Sequence, residues 1–356
     1  MKAMILAAGF GTRFRPATYT IPKPMVPVCN RPLIAYAVDS LVAAGVREIV
    51  VNLHHLPEAI ENYLRSTYVG ICTFEFSFEP EILGTGGGVR KARDLFTPGE
   101  SFLLVNGDTI QFPPFAELEA ARKDKGALAA LLLRHPPEGD RFTQVYCDGG
   151  LITGFGSGSG EPLMFSGSHS IGPEIFDLLP DRDFSGITED VYLPLVRSGQ
   201  SRLAGVIHDG PWFDIGTPAR YMRAAEAILK LIVSGELRAA SGTNVLGDQQ
   251  SVVAVDAKAA GEIDSSSIGF GSVIGRGGSI SRSAIWDDVE VGSDCVLTES
   301  IISSGVTLPP STTCENVLCC AVAPGHEYPE GAIQVGELVG VPIDANRASR
   351  LTIAGL

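Results

Sequence analysis

Along the first 230 residues, short apolar runs alternate with segments whose apolar positions recur every three to four residues. Lys2 to Ala8, Glu48 to Leu53, Thr73 to Phe78, Ser101 to Val105 and Leu128 to Leu133 read as strands, and Thr73 to Phe78 alternates as a half-buried one should. Pro32 to Ala44 places Ile34, Val38, Leu41 and Val42 at helical spacing, with Gly45 as a C-cap. Glu58 to Leu64 and Val89 to Phe96 read as further helices. This alternation predicts a doubly wound, mostly parallel α/β sheet, whose ligands belong at the carboxyl ends of the strands. Ser234 to Gln250 is polar and glycine-containing and reads as a linker. Beyond it the period changes to six: Ile268, Ile274 and Ile280, then Ile285, Val291 and Leu297, then Ile302 and Leu308. Two one-residue slips interrupt it, at 280 to 285 and at 297 to 302. A helix needs a period of 3.6 and a half-buried strand one of 2, so this stretch is read as a parallel β-helix. The expected organisation is an α/β domain over 1–233, a linker over 234–250 and a β-helix with its tail over 251–356.

The 356 residues include 27 basic and 41 acidic side chains, a net charge of −14. That balance argues against nucleic acid and against an anionic membrane as partners, since both need basic footprints. It permits a small anion bound in a local basic patch. Met1 to Val38 is such a patch, with Lys2, Arg13, Arg15, Lys23 and Arg31 and no acid. The seven cysteines are odd in number and show no CxxC spacing, which fits reduced thiols in a cytoplasmic protein. No run approaches 18 apolar residues, so no membrane span is expected.

The patch holds the most specific motif. A strand ending in Leu6-Ala7-Ala8 leads into Gly9-Phe10-Gly11-Thr12-Arg13. Glycines let the backbone approach a ligand, and successive N–H groups make an anion cradle. Arg13 adds a fork of donors suited to phosphate, and Lys23 stands between Pro22 and Pro24, which fix its backbone. Neither a Walker A loop nor GxGxxG is present. The run LAAGFGTRFRPATYTIPKP resembles the signature of sugar-1-phosphate nucleotidyltransferases, departing at Ala17 where leucine is usual. The resemblance extends through Pro27 to Ile34, Leu83 to Gly88, Val105 to Asp108, Phe165 to Gly167 and Trp212 to Thr217. The β-helix looks most like that of mannose-1-phosphate guanylyltransferases, which implies a Rossmann-like catalytic fold and a left-handed coil.

The resemblance implies attack of a hexose-1-phosphate oxygen on the α-phosphorus of a nucleoside triphosphate, with release of pyrophosphate. It implies Mg²⁺ held by Asp108 and Asp214, Arg13 on the β- and γ-phosphates, and Lys23 on the α-phosphate and the sugar phosphate. The nucleotide is expected along Leu6, Ala7, Ala8, Gly9, Gly11 and Thr12, with Glu79, Gly84 and Thr85 around the base and Asp108 near the phosphates. Glu79 accepts hydrogen bonds only and suits the two donors of guanine better than uracil, which favours GTP over UTP. The sugar is expected near Gly107, Ser166, Gly167 and Glu174. The stretch Gly154 to Pro162 lacks the lysine that relatives use as a second phosphate clamp, and its Gly-Ser content reads as a mobile loop. His54-His55 is read as structural, and Trp286 with Asp287-Asp288 as a surface or interface feature.

The reaction expected is therefore guanylyl transfer to mannose-1-phosphate. The alternative within the class is a uridylyltransferase acting on glucose-1-phosphate or an amino-sugar phosphate. An acyltransferase in the β-helix is disfavoured, because Val252 to Pro324 contains no histidine to serve as base. A silent regulatory subunit is disfavoured because Arg13, Lys23, Asp108 and Asp214 are all present. The β-helix is expected to serve a homo-oligomer, since exposed coil ends and edges invite partners.

Overall fold

The computed structural model describes residues 1–137, 142–199 and 202–355. The chain packs as two compact units. The first comprises Met1–Phe10 and Ile34–Trp212, the second Gly11–Leu33 and Phe213–Leu356. The division falls inside the signature run and not at residue 233, where the sequence pattern changes.

The first unit is built on a nine-stranded sheet. Its strands are β1 (Lys2–Leu6), β2 (Glu48–Leu53), β3 (Thr73–Phe78), β4 (Phe102–Asn106), β5 (Ala129–Arg134), β6 (Gln144–Asp148), β7 (Leu151–Phe155), β8 (Glu161–Ile171) and β9 (Leu203–Ile207). Their order is β3-β2-β1-β4-β8-β5-β9-β7-β6. The first four are parallel, and helices α1 (Leu33–Ala43), α2 (Pro57–Thr67) and α3 (Gly84–Lys91) connect them in chain order. Strand β8 then enters antiparallel to both β4 and β5, so the sheet is mixed in its second half. The apolar runs read from the sequence are its buried strands: Met4, Val50, Leu104 and Leu131 meet in one core.

Two local readings change. The helix expected from Val89 begins at Gly84. Its glycines are there for space: Cβ atoms at Gly86 and Gly87 would come within 2.8 Å of Ser185 Oγ and 2.5 Å of the Asp183 carbonyl. In the Gly154 to Pro162 stretch, Gly154 and Phe155 end β7, Glu161 and Pro162 open β8, and only residues 156–160 turn between them. A Cβ on Gly154 would lie 1.8 Å from the Ser157 carbonyl, and one on Gly158 would lie 2.6 Å from Tyr146 Cβ.

In the second unit, residues 251–319 wind as a parallel β-helix. Paired strands lie 17 residues apart, as in Ile268 with Ile285 and Ile285 with Ile302. Each coil takes two six-residue steps and one of five. The slips in the sequence period are that short third side. Its corner is one residue in the left-handed region, at Ser265, Arg282, Glu299 and Asn316 (φ 45–52°). A serine after each of the first three corners closes it. Ser266, Ser283 and Ser300 each donate to the carbonyl two residues back at 2.7–2.8 Å. Each also accepts the N–H of the equivalent residue in the next coil at 3.0–3.4 Å.

The 234–250 stretch is more than a linker. Thr243–Leu246 pairs antiparallel with Ser251–Ala254 and covers that end of one coil face. At the other end Leu338–Pro342 and Arg350–Thr352 turn antiparallel onto Val317–Ala321 and Thr313–Glu315. The chain thus caps its own coil on two of three faces, which weakens the reason for expecting partners there. All seven cysteines are free thiols. Among the described residues no helix is long and apolar enough to cross a membrane.

Trp286 is not on the surface. It is 1% exposed and donates to the Tyr221 hydroxyl at 3.0 Å. Tyr221, on α4 (Pro218–Val233), donates in turn to the Pro27 carbonyl at 2.7 Å. The Phe14 ring lies against both, with centroids 5.7 Å from Tyr221 and 6.3 Å from Trp286. Trp286→Ala should cost about 3–5 kcal/mol through the cavity it leaves, read from denaturant unfolding. In the first unit His169 is fully buried against the Tyr192 hydroxyl at 2.9 Å, and burial pushes its pKa from 6.5 down to about 3. The unfolded chain takes up this proton below pH 6.5 and the folded one does not. Stability should therefore fall from pH 6.5 toward 3, by at most about 1.4 kcal/mol per pH unit. Denaturant midpoints at pH 7.5 and 5 should differ less for His169→Gln than for the wild type.

Candidate active site

In the first unit the candidate residues gather at the carboxyl ends of the parallel strands. Leu6 lies opposite Asn106, so β1 and β4 release the chain side by side. The Gly107 N–H donates to the Leu6 carbonyl at 2.9 Å, closing the two ends together. A Cβ on Gly107 would sit 2.9 Å from that carbonyl, which explains the glycine before Asp108. Strand β8 runs past on the other side, with Ser168 opposite Val105. Gly167 has φ +95°, and a Cβ there would come 2.6 Å from the Asn106 amide nitrogen. Topology thus brings Leu6 to Gly9, Gly107, Asp108, Ser166 and Gly167 to one edge of the sheet. The Ser166 carbonyl accepts from the Trp212 indole at 2.9 Å, while its buried hydroxyl has no hydrogen-bond partner among the described residues. A hydroxyl in that state is costly unless something pairs with it.

Glu174 is not at this edge. Because β8 is antiparallel to β4, it carries the chain the other way, and Ile171 ends opposite Phe102 at the start of β4. That is five residues back along the strand from Gly107, about 17 Å at the usual rise. Glu174 precedes the short helix Ile175–Leu178 at the far end, so its assignment to the sugar is withdrawn.

Glu79 also differs from its expected state. It is 3% exposed. One carboxylate oxygen accepts from the Asn52 side-chain amide at 2.7 Å and the other from the Leu83 N–H at 3.0 Å. The Asn52 oxygen accepts from the Ala7 N–H at 2.7 Å, and the Glu79 carbonyl meets His54 Nδ1 at 2.7 Å. Glu79 therefore braces the loop after β1 through Asn52, and both of its oxygens are engaged within the protein. Gly84 and Thr85 likewise open helix α3, where the Thr85 hydroxyl accepts from the Ile187 N–H at 2.9 Å. Sequence reasoning missed Asn52. Its place at the carboxyl end of an apolar strand was the available signal.

In the second unit Gly11 has φ +62°, and a Cβ there would lie 2.9 Å from Lys23 Cβ and 3.0 Å from Thr18 Cγ2. The Thr18 hydroxyl donates to the Gly11 carbonyl at 2.9 Å. The signature segment is thereby folded onto Lys23, which is 6% exposed, whereas Thr12 and Arg13 are exposed. Asp214 forms an ion pair with Arg220 in the first turn of α4, whose backbone N–H donates to the Thr217 cap at 3.3 Å. A Cβ on Gly216 would stand 3.1 Å from both Arg13 Nη1 and Asp214 Oδ2. The glycine leaves room for guanidinium and carboxylate to flank it. Arg220, also missed, is the residue that offsets the Asp214 charge.

Parallel strands β1 and β4, with a glycine-rich first loop and a carboxylate at their carboxyl ends, define a nucleotide-handling enzyme. The chain belongs to the nucleotidyl transferase family, whose model matches residues 2–230. A probable mannose-1-phosphate guanylyltransferase 3 of Oryza sativa subsp. japonica is 30% identical over 334 residues, covering 89% of this chain and 90% of its own. A mannose-1-phosphate guanyltransferase of Schizosaccharomyces pombe is 33% identical over 264 residues, 70% of each chain. A UTP–glucose-1-phosphate uridylyltransferase of Synechocystis is 32% identical over 248 residues, 64% of this chain and 63% of its own. Among solved structures, HddC from Yersinia pseudotuberculosis, complexed with GMP-PN, superposes with a TM-score of 0.54 at 22% identity. It covers 64% of this chain and 99% of that one, a likeness of fold.

The brace makes a specific prediction. Glu79→Gln places an amide against one of two donors and should lower stability by about 1–3 kcal/mol, read from thermal unfolding. Turnover with GTP and with UTP should fall together, leaving their ratio unchanged.

Proposed function

We propose that the protein transfers a guanylyl group from GTP to mannose-1-phosphate, forming GDP-mannose and pyrophosphate. The relatives over most of the chain length carry this reading, together with the complete set Arg13, Lys23, Asp108 and Asp214. The uridylyltransferase reading has its own support in the Synechocystis relative, and the engagement of Glu79 inside the protein removes the residue that singled out guanine.

In the proposed reaction an anionic phosphate oxygen of the sugar phosphate bonds to the α-phosphorus. The bond from that phosphorus to the α–β bridging oxygen breaks, and pyrophosphate leaves with the electron pair. The nucleophile is already charged, so the protein's task is alignment and compensation of charge. Arg13 is assigned to the leaving phosphates. Lys23, buried and fixed between prolines, is assigned to the α-phosphate and the incoming sugar phosphate. The backbone N–H groups from Ala8 to Thr12 are assigned to the polyphosphate, and Gly9, where a Cβ would meet nothing within 4 Å, leaves space beside it. The buried Ser166 hydroxyl and the Gly167 backbone are assigned to the sugar.

Mg²⁺ suits one or two carboxylates completed by phosphate oxygens and water. Asp214 fits that donor set: it is partly exposed and sits in a charge-compensated setting beside Arg220. Asp108 and Asp214 would hold the ion, which would offset charge on the phosphates.

Pyrophosphate release from four nucleoside triphosphates against several hexose-1-phosphates tests the reading. Fastest turnover with GTP and mannose-1-phosphate supports it, fastest turnover with UTP moves it to the alternative, and no turnover with any pair ends it. Lys23→Ala and Asp108→Asn should each cut turnover by about 10²–10³-fold with the unfolding midpoint kept. Near-normal rates would refute their roles.

A further inference from the structure

The segment Gly11 to Lys23, which carries the phosphate-binding cations, is held from outside by the C-terminal part of its own unit. One hold is buried: Phe14 lies against Trp286 of the β-helix. The other is at the surface, on Tyr19, in the short turn Ala17–Tyr19 between Arg13 and Lys23. The Tyr19 ring stacks on His326, with centroids 4.0 Å apart and planes at 23°. Its hydroxyl donates to the Glu327 carbonyl at 2.5 Å, and the Arg15 guanidinium lies 5.0 Å over its ring. Arg15 and His326 thus both lie against the Tyr19 ring.

The loop that supplies His326 is itself braced. The Tyr328 hydroxyl accepts from the Ala323 N–H at 2.7 Å and donates to the Ala323 carbonyl at 3.1 Å. The Val322 N–H donates to the Glu337 carbonyl at 2.8 Å. A loop with its own internal bonds can hold another segment, because little of its freedom remains to be lost when it does so.

We propose that His326 and Glu327 position the phosphate-binding segment, so that the loop after the β-helix is a working part of the triphosphate site. His326 acts through Tyr19 and touches no reacting atom. Its effect is to keep Arg13, Arg15 and Lys23 in the arrangement that receives the triphosphate before it arrives. The inference rests on the nucleotidyl-transfer reading for its kinetic consequence, but the geometric claim stands apart from it.

Two measurements on the full chain test it. An aromatic pair of this kind corresponds to a factor of roughly three to ten in an equilibrium. For His326→Ala, the KM for the triphosphate should rise by about that factor, with kcat within twofold and the unfolding midpoint unchanged. His326→Phe, which restores a stacking ring, should return KM to the wild-type value. Tyr19→Phe loses only the bond to Glu327 and should raise KM by less than His326→Ala does. Independently, amide hydrogen exchange over residues 11–25 should quicken in His326→Ala and recover in His326→Phe. Unchanged KM and unchanged exchange in His326→Ala overturn the proposal, as does a loss of midpoint with no change in either. Failure of His326→Phe to recover overturns the stacking account. Were the wild type to turn over no substrate pair, the functional reading would fail while the exchange result would still decide the positioning claim.

Discussion

One phenolic oxygen ties together three parts of the chain that are far apart in sequence. The Tyr221 hydroxyl accepts from the Trp286 indole of the β-helix and donates to the Pro27 carbonyl behind the signature segment. Phe14 closes the cluster from the segment itself. Each polar group in the cluster is paired, so a buried tyrosine and a buried indole bring apolar area without the usual penalty for their polar atoms. The β-helix is consequently the platform against which the glycine-rich signature segment is folded. This explains why Gly11 to Leu33 packs in one compact unit with residues 213–355.

Much of this arrangement is legible in the sequence, and the illegible parts have physical reasons. Burial periodicity marks β1, β2, β4 and β5, and the six-residue period marks the coil, because both are set by which side chains leave water. Asp108 is legible as the residue that ends an apolar run. Strand direction leaves no such mark, so Glu174 looks near Ser166 in sequence although β8 carries it to the opposite end of the sheet. A run such as Gly84 to Gly88 has poor helix propensity, and the closeness of residues 183–187, which leaves no room for side chains at Gly84, Gly86 and Gly87, is not visible in the sequence. Trp286 next to Asp287 and Asp288 resembles a surface turn. Its burial depends on Tyr221 and Phe14, which lie 65 and 272 residues away in sequence.

The acid-free stretch at the start of the chain divides into residues with distinct surroundings. Lys2 is tied by Glu48 and Glu75 at 3.2 and 2.9 Å and belongs to the sheet. Arg15 lies over Tyr19, and Lys23 is buried against Gly11. Arg13 reaches toward Gly216, with Asp214 on its other side. Beside that cationic segment the Asp214 carboxylate is itself compensated, by Arg220.

The serine stitches of the β-helix have a consequence for how such a chain can change length. Each hydroxyl at a corner joins its own coil to the next across a separation of 17 residues. A single inserted residue on a coil face would offset both partners of a stitch and turn an inward isoleucine outward. A whole added coil would offset neither. Growth or loss in this half of the molecule is therefore quantised in units of one turn, while the capping strands at either end move as intact pieces.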